Sequence, residues 1–121
     1  MEDLRLPPSA AAAKAGREFI TGYCSRHGVS ILASDDAVLI TSELIGNAYL
    51  HAGGGTNVSA RCRGQVLRIE VTDGSTVHPQ LRRGRTEDQN GRGVMIMDAL
   101  AQDWGVHTQP TGKAVWFELV L

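Results

Sequence analysis

The sequence has few cysteines, no excess of either charge and no long apolar run. Its two cysteines, Cys24 and Cys62, are too few for the disulfide framework of a small secreted domain. Twelve basic residues stand against thirteen acidic ones, so the chain lacks the positive surface that nucleic acids or anionic membranes attract. No apolar run approaches the ~20 residues that span a bilayer, and Met1–Asp3 has no signal-peptide character. We expect a cytoplasmic protein without membrane or direct nucleic-acid contact.

The composition is that of one folded domain. Hydrophobic residues make up 42% of the 121 positions and charged residues 21%, which is typical of globular chains. A chain of this length buries roughly two thirds of its unfolded surface, so it forms a core without a metal. Zinc is not expected, because the cysteines and the four histidines show neither C-x₂-C nor H-x₃₋₅-H spacing. We predict a single domain over residues 1–121.

Three segments have the spacing of helices. The first runs from about Ser9 to Arg26 and ends at Gly28, and the third runs from Val94 to about Gln102. The second begins near Ser34-Asp35-Asp36, which supply a cap and acidic side chains for the positive end of the helix dipole. Its predicted buried stripe consists of Ala37, Ile40, Leu44 and Ala48.

The remaining periodic segments alternate as strands do. Two of them form a hairpin around Gly64-Gln65, two more close the chain, and a short edge strand begins it. The predicted strands are Asp3–Leu6, Val58–Arg63, Val66–Thr72, Trp104–Gln109 and Ala114–Leu121. This order predicts an α/β fold, a two-layer sandwich with helices on one face of a mixed, largely antiparallel sheet.

The segment 74–93 has neither helical nor strand periodicity. Twenty residues without regular structure are unusual inside a compact domain and are typical of a functional lid or of disorder. We predict a lid here.

Glu43 and Asn47 form the first group of residues whose side chains are suited to metal binding or catalysis. Four positions apart on one helix, they share a face beside the apolar stripe. The amide of Asn47 is a hard oxygen donor suited to Mg²⁺, and the carboxylate of Glu43 is suited to orient or deprotonate an attacking hydroxyl. The alternative is that both are solvated helix-surface residues.

Two glycine-containing segments follow. Asp73-Gly74 ends a buried strand, where a carboxylate accepts a hydrogen bond from an amine such as that of adenine and the glycine admits a flat ring; the alternative is a common Asp-Gly turn. Gly91-Arg92-Gly93 opens an apolar helix, where free amides and a guanidinium suit phosphates; the alternative is a flexible loop. Neither a Walker A loop nor a dinucleotide fingerprint is present.

In this order the three segments resemble the histidine-kinase-like ATPase superfamily, the Bergerat fold, with its N-box at Glu43-x-x-x-Asn47, its G1 box at Asp73-Gly74 and its G2 box at Gly91-Arg92-Gly93. Two longer stretches, Ser42–Ala52 and Gly91–Trp104, the second followed by Gly112–Leu119, are similar to bacterial anti-sigma-factor serine kinases. The resemblance implies an ATP-binding regulator that phosphorylates a serine or threonine of an antagonist protein and sequesters a sigma factor. It also allows a homodimer.

The resemblance assigns a role to each site residue. Glu43 would be the general base, Asn47 the Mg²⁺ ligand and Asp73 with Gly74 the adenine site. The phosphates of ATP would be wrapped by Gly91, Arg92, Gly93 and Val94. The chain departs from the family's D-x-G-x-G pattern, because Asp73 is followed directly by Gly74, Ser75 and Thr76. The missing glycine favours the alternative function, a non-catalytic or nucleotide-free module that binds protein partners.

Overall fold

The chain folds into two layers, with three helices on one face of a five-stranded sheet. The computed structural model describes residues 1–52, 55–74, 89–110 and 112–121, and these counts refer to those ranges. The elements are β1 (Glu2–Leu6), α1 (Ala12–Arg26), α2 (Ile31–Ala52), β2 (Thr56–Arg63), β3 (Val66–Asp73), α3 (Gln89–Leu100), β4 (Asp103–Gln109) and β5 (Gly112–Val120). The predicted fold class is confirmed.

The strands lie in the order β1-β2-β3-β5-β4, and each described pair of neighbours is antiparallel. The predicted edge strand is present, with Leu4 of β1 opposite Val58 of β2. The predicted hairpin is also present, because Arg63 and Val66 pair directly around the two-residue turn. The central strands β3 and β5 are adjacent although α3 and β4 separate them in the chain.

The core lies between the helices and the sheet. Alternate residues of β3 and β5 are buried, as the sequence pattern predicts, and they join the buried stripe of α2 in one cluster. The strand members of this cluster include Leu67, Ile69, Val71, Val115, Phe117 and Leu119. Each fully buried side chain of this size contributes about 1.5–3 kcal/mol, so this cluster supplies most of the force that holds the layers together.

The helix boundaries follow local chemistry. Gly28 ends α1 as predicted: its φ of +67° reverses the chain, and the amide of Val29 donates to the carbonyl of Cys24 at 3.0 Å. The predicted start of α2 is wrong, because Ser30 is the cap and its hydroxyl accepts from the amide of Ala33 at 3.2 Å. Asp35 therefore lies in the second turn. The sequence pattern does not reveal this start of α2, because Ile31, the first helical residue, is 79% exposed and breaks the apolar periodicity.

Helix α3 begins at Gln89, five residues before the predicted start at Val94. Two glycines near a helix start lower its intrinsic propensity by about 1 kcal/mol each, and the sequence pattern therefore indicates a loop. Packing of α3 against α2 outweighs that local preference. Residues 75–88, most of the predicted lid, lie outside the described residues. None of the described helices has both the length and the apolar character of a membrane span.

Candidate functional site

The sheet register determines which ends of the elements meet. Asn57 lies opposite Thr72 and Lys113 lies opposite Asp73, so β2 begins, β3 ends and β5 begins at the same end of the sheet. Helix α2 ends at Ala52, just before β2, and its last turns therefore lie at this end as well. The predicted site residues of α2 and β3 consequently share one end of the molecule.

The Glu43–Asn47 pair of α2 packs directly against α3. Both side chains are half-buried, and Gly93 is the buried residue that faces them. A Cβ on Gly93 would lie 2.7 Å from Nδ2 of Asn47 and 3.6 Å from Cβ of Glu43. At that distance something must shift to admit a methyl group, and the group in its way is the side-chain amide of Asn47. The structure thus brings together the residues of the first and third motifs.

Asp73, the predicted adenine acceptor, is paired with a lysine. Nζ of Lys113 donates to Oδ1 of Asp73 at 3.2 Å and to Oδ2 at 3.1 Å. The side chains are 9% exposed for Lys113 and 4% exposed for Asp73. Sequence reasoning missed Lys113, although it has the same strand parity as the buried residues Val115 and Phe117, which was the available signal.

Gly112 brings the start of β5 against the end of β3. Its φ is +153°, and a Cβ there would collide with the carbonyl oxygen of Asp73 and lie 2.7 Å from Cα of Gly74. Only glycine fits both the conformation and the space. The backbone contact fixes Lys113, the next residue, beside Asp73.

The buried Asp73–Lys113 pair is a poor source of stability for the fold. Removing two charges from water costs several kcal/mol per ion, which their attraction repays only with good geometry. Loss of one partner is costly, about 3–5 kcal/mol, because the other charge is then left buried alone. The pair therefore holds the ends of β3 and β5 together. Its contribution to the free energy of unfolding does not by itself explain why two charges are buried here.

The glycine–arginine segment lies within α3. Gly91 and Arg92 are in its first turn, and the side chain of Val94 is fully buried. In a helix that begins at Gln89, the amides without an intrahelical partner are those of the first turn. Gly91 is thus placed where an amide can meet an anion, whereas Gly93 acts through its contact with Asn47.

The donor set fits a magnesium ion that is held mainly by phosphates. Within the described residues, no group of three or more histidine, cysteine, aspartate or glutamate side chains is arranged to hold a metal. Mg²⁺ commonly takes one or two protein oxygens and completes its shell with water and phosphate oxygens. The amide oxygen of Asn47, beside the glycine of α3, would meet that requirement, with the carboxylate of Glu43 one turn away on α2.

Comparison with known proteins bears on the family and the fold of the chain. Residues 6–119 match the model of the histidine kinase-like ATPase domain family. The chain belongs to this family. No curated protein matches it in sequence. Among solved structures, it is similar to a chain in the crystal structure of the SiaB–SiaC complex from Pseudomonas aeruginosa, with a TM-score of 0.67 and 10% identity over 100% of this chain and 90% of that one. This likeness shows that the two chains share a fold.

Proposed function

We propose that this histidine kinase-like ATPase domain binds MgATP and transfers its terminal phosphoryl group to a serine or threonine of a small antagonist protein. In the same proposal it binds a sigma factor and holds it inactive. The observation that carries the proposal is the close approach of Gly93 to Asn47 and Glu43, since it puts the proposed magnesium ligand and the proposed base beside the helix whose start would bind the phosphates.

The residues divide the task as follows. Asn47 supplies an amide oxygen to Mg²⁺ without adding negative charge beside the phosphates. The first turn of α3 presents amides to the phosphates, and the carboxylate of Asp73 accepts from the base. Phosphoryl transfer depends mainly on such positioning and on charge stabilisation, so a small domain with few catalytic side chains suffices.

Glu43 is the proposed general base. MgATP supplies the phosphoryl group; the substrate hydroxyl oxygen forms the new bond to phosphorus, the bond to the bridging oxygen breaks, and ADP leaves. The carboxylate of Glu43 takes the hydroxyl proton, and its half-buried place on α2 beside Asn47 keeps it near the reacting end of the site.

A protein partner is part of the proposal. The crystal structure with the similar fold is a complex of two proteins, SiaB and SiaC, which supports the view that this fold can serve protein recognition. The stretches Ser42–Ala52 and Gly91–Trp104 are similar to anti-sigma-factor kinases. Together these likenesses favour a regulator that acts on another protein over an ATPase that acts on water.

Calorimetric titration with ATP tests the binding step. We expect binding that requires Mg²⁺, that EDTA abolishes and that Asn47→Ala weakens at least about tenfold, a loss of ~1.4 kcal/mol. Glu43→Gln should keep ATP affinity within about threefold, because the amide has the same shape, but should abolish transfer of labelled phosphate to a captured partner protein. Transfer that survives in Glu43→Gln would show that Glu43 is not the base.

A second candidate is a regulator that binds proteins without catalysis. It is favoured by the Asp73–Lys113 pair, because both oxygens of the proposed adenine acceptor already receive hydrogen bonds. The missing glycine after Asp73 points the same way. Absence of both heat and thermal shift with MgATP would decide for this candidate.

A further inference from the structure

Lys113 changes the chemistry that the Asp73 position offers to a purine. A carboxylate alone only accepts hydrogen bonds, so it binds the 6-amino group of adenine and repels the 6-keto oxygen of guanine or hypoxanthine. In this chain, Nζ of Lys113 lies 3.1 and 3.2 Å from the two carboxylate oxygens. The site therefore presents a donor beside the acceptor.

We propose that Lys113 is a specificity-determining residue and that the Asp73–Lys113 pair admits 6-keto purine nucleotides, those of guanine and hypoxanthine, as well as those of adenine. The proposal deepens the proposed function, since it rests on nucleotide binding at this site.

The hydrogen-bond inventory supports this role. A lysine ammonium has three N–H donors, and within the described part of the chain both hydrogen bonds of Lys113 go to Asp73. A third donor is left for a base. A 6-keto oxygen accepts from Lys113 while the adjacent ring N–H donates to Asp73. Adenine reverses the pattern, since its 6-amino group donates to Asp73 and its ring nitrogen accepts from Lys113.

The location of the pair makes base recognition selective. Asp73 and Lys113 are directly opposite in the β3–β5 register, on the face of the sheet that carries the buried side chains of both strands. Burial matters because a buried polar group that a ligand leaves unpaired is penalised strongly, whereas an exposed one turns to water. The pair is also neutral in sum, so a keto oxygen does not meet a net negative charge.

The close approach of Gly112 to Asp73 fixes the donor in place. Since a side chain at Gly112 would collide with the carbonyl of Asp73, the two strand ends are pinned together one residue before Lys113. A lysine held in this way differs from a flexible surface lysine such as Lys14, which lies exposed on α1.

Calorimetry on the full chain with the magnesium salts of ATP, GTP and ITP tests the proposal. We expect the unmodified protein to bind GTP and ITP within about tenfold of ATP. In Lys113→Met, GTP and ITP should weaken by about 10- to 150-fold relative to ATP, because their 6-keto oxygen then faces a buried carboxylate without a compensating charge, whereas adenine keeps the hydrogen bond from its 6-amino group to Asp73. Lys14→Met is the matched control and should leave all three affinities unchanged. Tripolyphosphate should bind at least about tenfold more weakly than ATP.

The unmodified protein alone already decides the question if Lys113→Met fails to fold. Rejection of GTP and ITP by more than about 100-fold while ATP binds would overturn the role of Lys113 and leave the proposed function intact. The role of Lys113 is equally overturned if tripolyphosphate binds as tightly as ATP, since the base is then not recognised, or if Lys113→Met keeps the ratio of GTP to ATP affinity. If the unmodified protein binds no nucleotide, the proposed function fails and this inference fails with it.

Discussion

At the scale of single residues, the candidate site depends on the absence of a side chain at Gly93. We expect Gly93→Ala to weaken MgATP binding by at least about tenfold in calorimetry. The new methyl group would lie 2.7 Å from Nδ2 of Asn47 and would therefore displace the amide of that side chain. The free energy of unfolding should fall by about 3 kcal/mol at most, since the crowding costs about 1–3 kcal/mol while alanine in a helix recovers up to ~1 kcal/mol over glycine.

Gly46→Ala is the matched control for this substitution. Gly46 is also helical and precedes Asn47, but a Cβ there meets no atom within 4 Å outside its own helix. The variant should bind MgATP normally and gain up to about 1 kcal/mol in the free energy of unfolding. Equal loss of binding in both variants would mean that helix geometry, and not the contact with Asn47, sets the affinity.

The residues of the site were predictable from sequence to different degrees. The shared face of Glu43 and Asn47 was predictable because four-residue spacing on a helix fixes it locally. The pairing of Asp73 with Lys113 was not, because it joins residues forty positions apart through a register that the chain reaches only after forming α3 and β4. Lys113 has the same strand parity as the buried residues of β5, but only the order of the strands in the sheet identifies its partner.

At the scale of elements, the start of α2 is a test of capping. Ser30→Ala should lower the free energy of unfolding in urea by about 1 kcal/mol, because the hydroxyl that satisfies the amide of Ala33 is lost. Asp35→Asn is the control, since this exposed residue lies beyond the first turn, and it should stay within about 0.5 kcal/mol of the parent. A larger loss in Asp35→Asn than in Ser30→Ala would restore the acidic start that the sequence indicated.

The elements also show where periodicity fails as a guide. Strands with one buried face were predictable because apolar and polar residues alternate along them, and even the short β1 shows this alternation. The starts of α2 and α3 were not, because exposed apolar residues precede the stripe in one and glycines interrupt the other. The cap of Ser30 sets the start of α2, whereas packing against α2 sets the start of α3.

At the scale of the whole molecule, side chains on the face of the sheet opposite to the helices bind one another across the strands. Arg68 lies 4.2 Å above the ring of Trp116 and donates at 3.1 Å to both Glu70 and Glu118. A Cβ on Gly105 would touch this ring at 2.8 Å, so the indole lies over the neighbouring strand. Cross-strand contacts of this kind stabilise a face of the sheet that none of the described helices covers.

Two ionisable side chains of α1, those of Tyr23 and Cys24, lie in the core between the helices and the sheet. The hydroxyl of Tyr23 accepts from the amide of Cys62 at 2.7 Å, and Cys24, the next residue, is 1% exposed. Burial raises the pKa of the Tyr23 phenol and that of the Cys24 thiol, because the ionised forms lose contact with water. In the unfolded chain both groups ionise at their ordinary pKa values, about 8.5 for cysteine and 10 for tyrosine.

Stability should therefore decline on the alkaline side. Both groups have a higher pKa in the folded state, so their contribution is complete below the unfolded pKa values and is lost as the pH rises toward the folded ones. Urea unfolding should show a lower free energy of unfolding at pH 10 than at pH 7.5. The difference should shrink in Cys24→Ala, which removes one of the two groups, and persist in Tyr49→Phe, because that substitution leaves both buried groups in place and Tyr49 is 43% exposed. An identical difference in Cys24→Ala and the parent would show that burial of the thiol is not coupled to folding.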